Sequence, residues 1–122
     1  MITIDGHDST ILSTVENLES FIYYNNNSIT FPTVVDSIPK LIVRNVTIES
    51  FVSYYSDGGA MSFNGDIGLS LFAITFKDDN STFSGGALSI HNNSNHSTIS
   101  HCVFEGCYSL GMIMIIMINI FL

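Results

Sequence analysis

The sequence is short of charge, and shortest of positive charge. Its 122 residues hold three Lys+Arg against 11 Asp+Glu, a formal net charge of −8. So acidic a chain repels a phosphate backbone, which excludes nucleic acid as a partner. Charged residues reach only 11% in all, where soluble domains usually carry about 25%. Tryptophan is absent, and proline and cysteine occur twice each. The start, MITIDGHDSTIL, lacks the basic leader and the apolar stretch of about 7–15 residues that make a signal peptide. A membrane-spanning helix needs roughly 20 apolar residues. The strongest apolar run, Met112 to Leu122, has 11 and is interrupted by Asn119. That tail (112–122) reads as a buried strand, the start of a longer span, or a truncated end. Without an export signal or a closing cap, the chain is expected to be a fragment. Any membrane association is expected only through regions outside it or through the tail.

Ligand chemistry is sparse too. His7, His91, His96 and His101 lack the i, i+4 or paired-cysteine spacing of a metal site. His101 and Cys102 are adjacent, so on a strand they face opposite ways. The histidines are expected on the surface. Neither Gly-Gly pair is followed by the lysine and spacing of a phosphate loop. No metal, cofactor or catalytic residue is assigned. Cys102 and Cys107 form a disulfide if the chain turns between them; alternatively Cys102 packs inward as a free thiol.

Hydrophobic residues make up 46%, so Ser, Thr and Asn must cover the surface, as in a β-rich extracellular protein. Asn26, Asn80, Asn92 and Asn95 each open an N-x-S/T triplet and are candidate N-glycosylation sites, although a chain this rich in Asn, Ser and Thr produces such triplets freely. Asn45 also opens one, but inside an apolar run.

A repeat organises the chain. Asn45-Val46-Thr47-Ile48 aligns with Ala73-Ile74-Thr75-Phe76 and then with His101-Cys102-Val103-Phe104. The first two copies are each followed by a polar stretch, a glycine pair and a second alternating run: DGGAMSF at 57–63 and SGGALSI at 84–90. Period-2 alternation indicates strands and excludes a helical solenoid, while about 28 residues is too short for a propeller blade. The remaining architecture is all-β: a right-handed parallel β-helix of about four to five coils over residues 1–111, clearest over 41–111. Val46, Ile74 and Cys102 then make one interior ladder, and Ile48, Phe76 and Phe104 its neighbour. Gly58-Gly59 and Gly85-Gly86 turn stacked corners without Cβ clashes. Met61, Phe63, Leu88 and Ile90 are expected inside, with Ala60, Ser62, Ala87 and Ser89 outside.

Upstream, Ile2–Gly6 and Ser9–Leu12 read as strand, turn, strand. Phe21–Tyr24 and Ser28–Phe31 read as two more, and Pro32 and Pro39 frame a loop.

Gly58-Gly59-Ala60-Met61 and Gly85-Gly86-Ala87-Leu88 resemble the Gly-Gly-Ala-Ile tetrapeptide of the polymorphic membrane protein repeats, a family of surface adhesins. The family's second tetrapeptide, Phe-x-x-Asn, survives only as Phe76-Lys77-Asp78-Asp79 and Phe104-Glu105-Gly106-Cys107. The resemblance spans about residues 41 to 115. It implies a non-catalytic β-helix segment at the cell surface or outside the cell, serving adhesion or surface display toward a host or cell-surface protein or glycan. The opening ITIDG resembles pectate-lyase-like β-helices more generally. The alternative is therefore a fragment of a carbohydrate-active β-helix enzyme. Such an enzyme needs carboxylates grouped on an exposed face, whereas Asp57, Asp66, Asp78 and Asp79 all read as solvated turn acids.

Overall fold

The longest strands do not keep one alternation from end to end. In Lys40–Glu49 the buried side chains are Leu41, Val43, Val46 and Ile48, so the period of two slips by one residue at Asn45. Gly68–Lys77 repeats the slip, with Leu69 and Leu71 buried, then Ile74 and Phe76, and Ala73 between the pairs. An unbroken strand would turn the second pair toward solvent. Asn45 and Ala73 instead adopt φ of 54° and 53°. Each left-handed residue bends the chain and resets the phase, so both pairs point inward. Asp8 (φ 62°) and His101 (φ 54°) occupy the corresponding place in the neighbouring strands.

The structure is a computed structural model that describes residues 1–13, 20–25, 39–55, 57–93, 97–110 and 116–119. Its strands form three sheets, and every pairing is parallel. The first sheet joins β1 (Ile2–Leu12), β3 (Lys40–Glu49) and β6 (Gly68–Lys77) to β9 (Thr98–Ser100) and β10 (Val103–Glu105), which both lie against β6. The second is short: β4 (Val52–Ser53), β7 (Asn80–Ser81) and β11 (Tyr108–Ser109). The third holds β2 (Ile22–Asn25), β5 (Met61–Asn64), β8 (Leu88–His91) and β12 (Ile116–Asn119). Among the described residues there is no helix, hence none long and apolar enough to cross a membrane.

Register carries the repeat directly. Val46 pairs with Ile74 and Ile48 with Phe76, and Phe76 pairs in turn with Phe104. Ile48, Ile74 and Phe76 are fully buried, while Cys102 and Phe104 pack against the same core from its edge. A second left-handed series, Ser50 (φ 65°), Asp78 (φ 53°) and Gly106 (φ 66°), turns the chain out of the first sheet. The residue after each one is swung inward: Phe51, Asp79 and Cys107 are all buried.

Two sequence expectations change, and part of the tail is described. The stretch 2–12 is a single strand, with its turn reduced to a register shift between Asp5 and Ser9 around left-handed His7 and Asp8. In the apolar tail, 116–119 is a strand paired with β8; the remainder of 112–122, like the strand expected at 28–31, lies outside the described residues. Ala60, Ser62, Ala87 and Ser89, expected outside, are buried. The second glycine turn lies against Ser89, where a Cβ on Gly85 would stand 3.3 Å from the Ser89 Cβ, and Ala60 and Ala87 belong to the core cluster itself.

Candidate functional site

The glycine pairs use their two members differently. Gly58 (φ 74°) and Gly85 (φ 63°) are left-handed, whereas Gly59 and Gly86 are not. The second glycine of each pair is required by close approach. A Cβ on Gly59 would collide with the Gly86 carbonyl oxygen, and one on Gly86 with that of Tyr108. The amides here are committed to the next repeat, since Gly58 N–H donates to the Ser84 carbonyl, Gly59 N–H to Gly86 and Ala60 N–H to Ala87, each at 2.9 Å. The Gly58-Gly59-Ala60 corner therefore holds no free amide cradle for an anion; its work is architectural.

The acids separate into unlike environments. Asp78 is exposed, but Asp79, beside it, is fully buried, which corrects its reading as a solvated turn acid. The cause is the left-handed Asp78, which rotates the following side chain into the core. Asp79 Oδ1 accepts the Phe51 N–H at 2.9 Å, while Oδ2 is buried without a partner. Desolvation pushes this carboxyl up to about 7. Asp78 and Asp79 thus face opposite sides and do not make a hydrolase pair. At the other end, Asp5 binds the His7 N–H, the Arg44 guanidinium at 2.9 Å and the Asn45 amide. The His7 backbone bond, with help from Arg44 and Asn45, holds Asp5 below the usual carboxylate range.

Asp57 and His91 form a pair that sequence inspection missed. The Asp57 carboxylate accepts the Ser84 N–H at 2.8 Å through Oδ1, and its Oδ2 lies 2.9 Å from His91 Nε2. The partners are 34 residues apart and meet only because successive repeats lie alongside. A carboxylate holding an imidazole is half of a nucleophile-activating arrangement. Ser89, two residues before His91 on the same strand, has its hydroxyl fully buried and unpartnered. A substrate has no access to it.

Other residues occupy simpler places. His7 is exposed, and His101 lies against the Phe72 ring with centroids 5.1 Å apart. Cys102 and Cys107 are free, and burial pushes the Cys107 thiol up to about 11. No group of three metal-ligating side chains occurs among the described residues. Asn92 is exposed and donates to Asn64 Oδ1 at 2.8 Å; Asn80 is half-buried on the middle strand of the second sheet. Asn26, Asn95 and His96 lie outside the described residues.

Accessible aromatic chemistry lies on the arms that leave β4 and β7 and lead into the glycine turns. The pairing of Ser53 with Ser81 continues outward, because Thr82 N–H donates to the Ser53 carbonyl at 2.9 Å and Thr82 Oγ1 to the Tyr54 carbonyl at 2.6 Å. This places Tyr54 beside Thr82; farther out the Ser84 N–H turns to Asp57 Oδ1, and the offset between repeats falls from 28 at Ser53/Ser81 to 27 at Met61/Leu88. Tyr54, Tyr55 and Phe83 are 41%, 75% and 50% exposed. Their signal in the sequence is aromatic residues just before each Gly-Gly, where a polar turn is the rule. In comparisons with family models, curated proteins and solved structures, the chain matches none.

Proposed function

We propose that these strands are coils of a right-handed parallel β-helix, about four to five in number, serving non-catalytic adhesion or surface display outside the cell. The architecture is supported by parallel pairing at an offset of 27 or 28 residues from β3 onward and by two series of left-handed corners. The adhesive role follows from the resemblance to polymorphic membrane protein repeats. The observation that carries it is the presentation of Tyr54, Tyr55 and Phe83 on arms anchored by backbone hydrogen bonds to a packed interior. Exposed aromatics grouped on neighbouring arms, unlike ones scattered singly, mark interaction surfaces.

A carbohydrate-active enzyme is the rival, and it draws on one observation, the Asp57–His91 contact. Incubating the labelled chain with whole cells and isolated cell-wall material separates the two. Saturable retention without release of sugar fragments is the expected result. Fragment release that disappears in His91→Gln would establish the enzyme, and absence of retention on every surface would remove the adhesive role.

A further inference from the structure

Tyr54, Tyr55 and Phe83 stand in a setting that restricts what they bind. The polar groups alongside are hydroxyls and amides: Thr82 and Ser84 on the second arm, and Asn80 at its base. No lysine or arginine lies on either arm among the described residues. Asp57, the one acid there, is occupied by His91 Nε2 and the Ser84 N–H. The arms therefore offer aromatic faces with neutral hydrogen-bonding groups and no uncommitted charge. The chain as a whole carries −8.

We infer that the Tyr54–Tyr55/Phe83 strip binds a neutral polysaccharide, whose sugar rings lie on the aromatic faces while its hydroxyls meet the neighbouring Thr, Ser and Asn. This inference deepens the adhesive function proposed above and rests on it. A pyranose ring has an apolar C–H face and a polar rim, the same division that the strip presents. The chain's charge repels anionic partners: an acidic polysaccharide meets a net charge of −8 and no cation on the arms. A cationic peptide would require an available carboxylate, and Asp57 is already satisfied. Parallel pairing advances roughly 5 Å from one arm to the next, close to the length of one sugar unit. Tyr55 and Phe83 stand on the arms of successive repeats, so a glycan running along the repeat axis would pass both.

Affinity electrophoresis of the full chain tests this directly, with hydroxyethyl cellulose, xyloglucan, galactomannan, polygalacturonate or oligolysine cast into the gel. Retardation by at least one of the three neutral polymers is expected, and by neither charged one. Because Tyr55 and Phe83 are exposed, Tyr55→Ala and Phe83→Ala should fold normally and each weaken retardation by roughly tenfold, the scale of one aromatic contact. Phe72→Ala, which removes an exposed aromatic from the first sheet, should leave retardation unchanged. Tyr55→Phe should keep most of it. Retardation by a charged polymer alone, or neutral binding that ignores both Tyr55→Ala and Phe83→Ala, overturns the inference. Cell-surface retention that persists while all three neutral polymers fail would remove the glycan and leave the adhesive role standing. Loss of both removes both.

Discussion

Phe76 and Phe104 lie ring on ring, their centroids 4.8 Å apart and their planes 6° from parallel. The separation matches the spacing of hydrogen-bonded strands, and register pairs the two residues directly. Identical side chains at equal positions in successive repeats thus stack without adjustment. Phe76 has Ile48 on its other side and no exposure. Phe76→Ala should therefore lower the unfolding free energy by about 3–5 kcal/mol. Thr75→Ala, on the opposite side of the strand, should cost about 0.5 kcal/mol. Urea denaturation measures both, and equal losses would break the interior ladder.

The left-handed corners make a prediction of opposite sign. Ala73 has φ 53°, a conformation that costs a Cβ-bearing residue about 1–2 kcal/mol. Ala73→Gly should stabilise the protein by about 1 kcal/mol, although glycine within a strand normally weakens it. Thermal unfolding should show a higher midpoint. A lower one would mean that the strand runs through position 73 unbent.

The interior ladders were legible in the sequence, because Val46, Ile74 and Cys102, like Ile48, Phe76 and Phe104, recur 28 apart whatever the local geometry. Facing was less legible. Alternation assigns inside and outside only until a left-handed residue shifts the phase; Ala73 is not a residue type that announces such a shift, and Asp78, whose type tolerates it, reads equally well as an ordinary turn acid. Hence Asp79 read as solvated when it is buried. Ala60 and Ala87 failed for another reason: they stand at the corners before β5 and β8 begin, where period-2 counting does not apply, and join the core. The Asp57–His91 pair joins the arm of one repeat to strand β8 of the next, so no single-repeat motif contains it. The exposed aromatics were present in the sequence all along, but an apolar residue reads as core until a structure shows it outside.

The glycine corners allow a contrast in which only space differs. Neither Gly86 nor Gly68 has positive φ. A Cβ on Gly86 meets the Tyr108 backbone, whereas one on Gly68 meets first the flexible Lys40 side chain at 3.3 Å. Gly86→Ala should cost about 3 kcal/mol through backbone displacement, and Gly68→Ala should fall within about 0.5 kcal/mol of zero. Comparable effects at the two positions would show that the arms are not held at this approach.

Asp79 makes stability depend on pH in an unusual direction. Desolvation raises its carboxyl to about 7, opposed by hydrogen bonds from the Phe51 and Lys77 amides and reinforced by the nearby charges of Asp78 and Glu49. In the unfolded chain the same group releases its proton near pH 4. Between those values the folded state holds a proton that the unfolded state has lost, so stability falls as pH rises from about 4 to about 7, by at most about 1.4 kcal/mol per unit. Above that window the penalty is constant, and below it the penalty vanishes. Asn in place of Asp79 keeps an oxygen for the Phe51 N–H and cannot ionise. Asp79→Asn should therefore raise the midpoint of thermal unfolding at pH 8, change it little at pH 4.5, and flatten the profile between. Depressed Asp5 acts in the opposite sense, losing its contribution only as pH falls through its own lowered range, below this window. A wild-type midpoint that climbs steadily from pH 4.5 to 8, with Asp79→Asn following in parallel, would show that the carboxyl is solvated after all.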